Sequence, residues 1–348
     1  MNKTITIDTF KRFYTLKTNK IFSLPIVILM PHSRCNCRCV MCDIWKGNSN
    51  IQQLEEDHVK KLLESFAKYS TREVVMSGGE ALMHPNFFRL CEIIKSRDIK
   101  ITVLSTGLLL KKYASELISK TNEVIVSLDG SREVHDEIRN IPNAFDKLKE
   151  GVQELKKLKR DYRVTARSVI QKSNFEDFPN IVDAAKGIGL DQISFLTADV
   201  TTDAFNRAEI WNEEKVGEIK LTLDEVKKLK EIIESLIKTH SKDFNSGFIA
   251  ESPDKIRRFY HYYAAYHGLS SFPKIRCNAP WVSTVIEADG TVRPCFFHKK
   301  IGNINENSLP EILNSDESIS FRKNLDMAEN PICKKCVCYL NLSPFAKV

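Results

Sequence analysis

From residue 24 to residue 197 short β-rich runs alternate with helix-patterned stretches, and this alternation constrains the fold more than any other feature of the chain. Strand-like runs occupy 24–31, 73–77, 100–104, 123–129, 163–170 and 192–196, with helical patterns between them around 55–68, 86–96, 111–119, 143–159 and 176–187. Strands separated by helices pair in parallel, each crossover returning with a right hand. Six such strands fall short of the eight that close a TIM barrel, so the expected fold is α/β, an open, partial (β/α)6 barrel. In folds of this kind the chemistry collects at the C-terminal ends of the strands.

The rest of the chain breaks the pattern. Residues 1–23 read as an N-terminal extension, 24–197 as the barrel core, 198–272 as a helical linker or insertion, and 273–348 as a small C-terminal domain. The insertion carries a charged helical stretch at 223–238 and the aromatic run Phe259-Tyr260-His261-Tyr262-Tyr263 with Tyr266, which either lines a pocket or packs a helix.

The charge balance, 52 basic against 45 acidic residues, leaves a net +7 that sits largely on helix faces such as 147–159. No aromatic and basic stripe of the kind that binds single strands accompanies it, so no nucleic-acid partner is expected. The longest apolar run, 21–30, contains Pro25 and is far shorter than the ~20 residues that span a bilayer. The N-terminus lacks a signal-peptide apolar core, and the expectation is a cytoplasmic protein without a membrane partner. The cytosol keeps thiols reduced, so the ten cysteines argue for metal rather than disulfides. Four lie between 35 and 42, five between 277 and 338, and Cys91 stands alone.

The first group follows directly on the first strand, in Pro31-His32-Ser33-Arg34-Cys35-Asn36-Cys37-Arg38-Cys39-Val40-Met41-Cys42. Three thiolates in one tight loop can hold three irons of a [4Fe–4S] cube and leave the fourth iron to an external ligand. Zinc is the competing reading, with Cys37 as a fourth thiolate in an unusually crowded loop.

Cys35-x3-Cys39-x2-Cys42 at the end of strand one resembles the signature of the radical S-adenosylmethionine (SAM) superfamily, and the resemblance runs over roughly residues 24–197. Ser77-Gly78-Gly79-Glu80 resembles that family's Gly-Gly-Glu motif, where the backbone and Glu80 would hold the SAM amino group. Ser127-Leu128-Asp129-Gly130 resembles its ribose- and carboxylate-contacting segment, with His135-Asp136 and Arg139 following. Arg167 would point into the barrel and pair with the SAM carboxylate, a task suited to a guanidinium; an outward salt bridge is the alternative. Two positions depart from the pattern: Met41 stands where an aromatic is common, and Ser105-Thr106-Gly107 where Thr-Asn-Gly is frequent.

In the second group Cys277 is followed by twelve residues, Gly290, four residues and Cys295, then by Cys333-x2-Cys336 and Cys338. Asp289-Gly290 signals a hairpin that folds Cys277 and Cys295 together. The order resembles the auxiliary-cluster domain of radical SAM enzymes, in its shortened twitch form rather than the longer SPASM form. That implies one auxiliary [4Fe–4S] cluster on Cys277, Cys295, Cys333 and Cys336, with a four-cysteine zinc ribbon as the alternative. Cys338 is left as a spare thiol, an alternative ligand or a hydrogen-atom donor; the roles of Cys37 and Cys91 stay open.

The resemblance implies an enzyme. An external one-electron donor such as flavodoxin or ferredoxin reduces the first cluster, SAM is cleaved to an adenosyl radical, and that radical takes a hydrogen from substrate. Four thiolates leave the auxiliary cluster no open iron, which favours an electron-acceptor role and a two-electron oxidation. Epimerisation is the second reading, and a non-catalytic iron–sulfur or zinc protein the reading from another class. Too few residues precede the first strand for the peptide-recognition domain of peptide-modifying members, which favours a small-molecule substrate over a peptide or protein.

Overall fold

The computed structural model describes residues 3–207 and 209–346. A helix, α1 (Lys3–Thr18), leads into β1 (Ile26–Leu29), and α2 (Glu56–Lys68) returns the chain to β2 (Glu73–Met76). Alternation continues through α3 (Phe87–Lys95), β3 (Lys100–Ser105), α4 (Ala114–Lys120), β4 (Glu123–Ser127), α5 (Arg132–Arg139), α6 (Ala144–Leu158), β5 (Arg163–Ile170), α7 (Phe178–Gly187) and β6 (Gln192–Thr197). All six expected strands form, and their neighbours pair in parallel. The helix α5 between the fourth and fifth strands was not anticipated; its eight residues are too few to show a helical period beside the longer α6.

One face of each strand is sealed and the other half-open. Val27, Leu29, Val74, Met76, Ile101, Val103, Val124 and Val126 share a buried core with Leu62, Phe66, Leu90 and Leu148 of the covering helices. Residues of opposite parity, such as Ile28, Val75, Leu104 and Ile125, are only partly buried and line the concave side of the open sheet. Low on that face Lys100 Nζ bridges Glu73 (3.2 Å) and Glu123 (2.8 Å). Higher up, Ser127, Arg167 and Ser194 occupy neighbouring register positions on β4, β5 and β6.

After β6 come α8 (Glu213–Ile219), α9 (Leu223–Thr239), α10 (Ser241–Ser246) and α11 (Pro253–Ala265), then α12 (Ala279–Val282) and the strands β7 (Ser283–Ile286), β8 (Thr291–Arg293) and β9 (Gly302–Asn303). The expected hairpin forms between β7 and β8. Its first strand pairs in parallel with β1, so the barrel's sheet has nine strands in the order β6-β5-β4-β3-β2-β1-β7-β8-β9 and stays open. The short helices α13 (Leu309–Leu313), α14 (Asp316–Asn324) and α15 (Pro331–Lys334) follow. No helix among the described residues is long and apolar enough to cross a membrane.

Candidate active site

The cysteine loop after β1 is tied down by its backbone on several sides. Cys35 N–H donates to Asn48 Oδ1 and Cys35 O accepts from Asn48 Nδ2, both at 2.9 Å. Arg38 and Val40 donate to the carbonyls of Arg139 and Ile138 at the end of α5, each at 3.1 Å. Arg34 O accepts from Glu80 N–H at 2.8 Å, which seats the loop on the turn after β2.

That turn admits the loop only because it is glycine. A Cβ on Gly79 would stand 2.2 Å from Arg34 O and 3.1 Å from Cys35 Cβ, an overlap that backbone cannot relieve. Gly78 adopts φ +111°, a conformation L side chains rarely take. The Gly-Gly pair therefore places the thiol loop as well as leaving backbone open to a ligand.

Glu80 is fully buried, and its carboxylate is already engaged by the protein. It accepts from Leu82 N (3.1 Å), Ser105 Oγ (3.0 Å), Thr106 N (2.7 Å) and Thr106 Oγ1 (2.6 Å). Burial raises its pKa, and these donors oppose the rise. Ser105-Thr106, the departure from Thr-Asn-Gly, is thus the clamp on this carboxylate.

Asp129 is likewise fully buried: Oδ2 pairs with Arg139 Nη2, and Oδ1 accepts from Val169 N at 2.8 Å. Arg139 Nη1 donates to Cys39 Sγ at 3.4 Å, so one guanidinium joins the end of β4 to the thiol loop. His135 Nδ1 accepts the Asp129 N–H at 3.1 Å. Burial, with Arg139 beside it, lowers the His135 pKa to about 3 and keeps the ring neutral.

Cys35 and Cys42 are pushed up to about 12 by burial, while Cys39 is lowered because Cys37 donates to its sulfur and Arg139 adds positive charge. Cys37 is thereby a buried donor to Cys39, and Cys91 is packed in the core of α3. A metal centre deprotonates the thiols that it binds. The donor set, the glycine seat and the nearby guanidinium suit a three-thiolate iron–sulfur cluster.

Arg167 and Ser127 lie side by side on the concave face. Arg167 makes no ion pair among the described residues, and its Nε is buried without a partner. The outward salt bridge that the sequence left open is not present.

The second thiol group assembles from three segments. Ala279 N donates to Cys277 Sγ at 3.4 Å, and the amides of Phe297 and His298 donate to Cys295. Asn278 binds the C-terminal stretch three times: its N–H donates to Leu340 O and its Nδ2 to Leu342 O, both at 2.7 Å, and its Oδ1 accepts from Leu342 N at 2.9 Å. Burial pushes Cys295 up to about 11 and Cys333 to about 12, and each feels its fellow thiols. Cys338 is exposed, yet close enough to raise Cys336 further. His298 Nε2 lies 3.3 Å from Cys333 Sγ, a contact sequence reasoning missed because no spacing rule marks a histidine in that gap.

A cavity of about 130 Å³ joins these regions. Its walls include Arg167, Ser194, Arg258, Lys334, Cys336 and Cys338. Phe259 and Tyr262 of the aromatic run also line it while packing α11, so that stretch serves both ends.

Two family models match the chain: the radical SAM superfamily over residues 29–185 and the SPASM iron–sulfur cluster-binding domain over 277–337. Fe-coproporphyrin III synthase of Methanosarcina barkeri is 24% identical over 90% of this chain and 80% of its own length. The cysteine-type anaerobic sulfatase-maturating enzyme of Clostridium novyi is 24% identical over 91% of this chain and 86% of its own. Among solved structures, Streptococcus suis SuiB bound to S-adenosylmethionine superposes with a TM-score of 0.62 at 16% identity, covering 96% of this chain and 78% of SuiB. Two domain matches in one chain, the first over a partial barrel with its thiols at the end of β1, lead to one assignment: the chain belongs to the radical SAM superfamily, with a C-terminal SPASM-type domain, and its cofactors are [4Fe–4S] clusters and SAM.

Proposed function

We propose that Cys35, Cys39 and Cys42 hold the SAM-cleaving cluster, that Cys277, Cys295, Cys333 and Cys336 hold one auxiliary cluster, and that the chain oxidises a small molecule by two electrons. The observation that carries this reading is the cavity running from Arg167 and Ser194 on the concave face to Cys336 and Cys338 of the second thiol group, where a substrate would touch both the barrel and that group. With its groups bound, such a site supplies a carbon-centred radical that removes a substrate hydrogen and an acceptor for the electron the substrate then releases.

The chain's own residues position these events. Gly78 and Gly79 leave the backbone bare where the SAM amino group would sit. Glu80 acts through structure: its carboxylate anchors Ser105 and Thr106 while its N–H fixes the thiol loop. Arg167, which makes no ion pair among the described residues and lies beside Ser127, offers a fork for the SAM carboxylate. Asp129, whose oxygens are spent on Arg139 and Val169, holds the loop end rather than a ligand.

The relatives' names include both a porphyrin synthase and a protein-maturating enzyme. The modest size of the cavity favours a small molecule, with a peptide or protein side chain as the alternative. Epimerisation, with Cys338 as hydrogen-atom donor, keeps a footing because that exposed thiol lines the same cavity. In either case an external one-electron donor, of flavodoxin or ferredoxin type, starts the reaction.

The test is 5′-deoxyadenosine formation from SAM by reconstituted, reduced protein. Native chain is expected to form it, and the Cys35→Ala, Cys39→Ala, Cys42→Ala variant to form none. Product from the triple variant would sink the assignment of the triad. Losing substrate turnover but not 5′-deoxyadenosine in Cys295→Ala would support the acceptor role.

A further inference from the structure

His298 is held so firmly against the second thiol group that its position demands a use. Only 6% of the residue is exposed. Its backbone N–H donates to Cys295, and its carbonyl accepts from Arg293 Nη1 at 3.1 Å. Its ring lies edge-on to Phe321 of α14, with centroids 5.0 Å apart. Backbone and ring are thus fixed from three sides, and what they aim is Nε2, 3.3 Å from Cys333 Sγ. The single segment 295–298 therefore serves two thiols that lie 38 residues apart in sequence (333 minus 295).

We infer that His298 is a positioning residue of the auxiliary cluster: its Nε2–H donates to the iron-bound sulfur of Cys333 and raises the cluster's reduction potential. This rests on the reading above that Cys333 is a cluster ligand. An iron-bound thiolate has lone pairs and no proton, so the bond exists only with the proton on Nε2. A neutral imidazole fills that role without adding a charge. One-electron reduction adds negative charge to the cluster and its sulfurs, and a donor stabilises that state more than the oxidised one. A cluster so tuned accepts an electron from substrate more readily, which suits the proposed oxidation.

The experiment uses the full chain carrying Cys35→Ala, Cys39→Ala and Cys42→Ala, so that only the second cluster is loaded. Iron content and the midpoint potential, followed by electron paramagnetic resonance, are compared for this background, His298→Phe and His298→Gln. His298→Phe is expected to keep its iron and titrate at lower potential, with His298→Gln, which still carries a donor, lying closer to the background. Equal potentials in all three overturn the proposal. Loss of iron from both variants, with thermal melting unchanged, also overturns it by making His298 a ligand rather than a donor. A background protein that takes up no iron instead overturns the auxiliary-cluster reading itself.

Discussion

Cys35, Cys39 and Cys42 stand on one loop bonded to Asn48, to the end of α5 and to the turn after β2. Cys277, Cys295, Cys333 and Cys336 come instead from a strand approach, a hairpin exit and the segment in and just after the four-residue helix α15, where Asn278 bonds Leu340 and Leu342 and Asn330 caps α15. The first site is held by hydrogen bonds to sheet and helix ends. The second depends on long-range closure, which costs chain entropy that a metal centre must offset. Two sites of similar chemistry thus draw their order from different sources.

Gly79→Ala should break the contrast most severely. The added Cβ meets backbone at 2.2 Å, so the loop must move. Iron of the triad and 5′-deoxyadenosine formation should both be lost while the second site keeps its iron, read by iron analysis and product assay. Arg139→Met comes next. It leaves Asp129 buried without its cation, and losing one partner of a buried pair costs about 3–5 kcal/mol. Denaturant unfolding measures this, and unchanged stability would show that the pair does not tie the loop.

Asn278→Ala probes the other side of the comparison. It removes the two side-chain bonds to Leu342, worth about 1–3 kcal/mol together, and keeps the backbone bond to Leu340. Iron should leave the second site first, and chelation should raise hydrogen exchange at 331–342 more than at 31–42. Equal exchange in the two segments would erase the distinction.

The smallest effect concerns pH. Because the folded pKa of His135, about 3, lies below its ordinary 6.5, the neutral ring contributes stability present above pH 6.5. That contribution is lost as pH falls from 6.5 towards 3. His135→Asn keeps an acceptor for Asp129 N–H but cannot titrate. Its melting temperature should fall less between pH 7 and pH 5 than that of the native chain.

Local patterns made much of this legible. Residues 163–170 were read as a strand from β-branched content alone and form one over the same span. The thiol triad is legible from its spacing and Gly78-Gly79-Glu80 from its resemblance to a family motif, since ligands on one loop and a turn of glycines are local facts. The expected runs 24–31 and 123–129 exceed the observed β1 and β4, although Met30 N and Leu128 N still bond across to Ile286 O and Arg167 O. The partners that shape the sites were not visible. Arg139 reaches Cys39 across 100 positions, and His298 reaches Cys333 across 35. No periodicity connects such pairs.

By itself the sequence determined the parallel α/β class and the two thiol groups, which depend on residue type and spacing, and implied the cofactors through a resemblance to a known family. Tertiary structure alone decided that β7 would join β1, that the Glu80 carboxylate would turn inward to Ser105 and Thr106, and that Arg167 on the concave face would make no ion pair among the described residues. These outcomes depend on which distant groups the closed fold brings within hydrogen-bond reach, and on which it leaves buried without a partner.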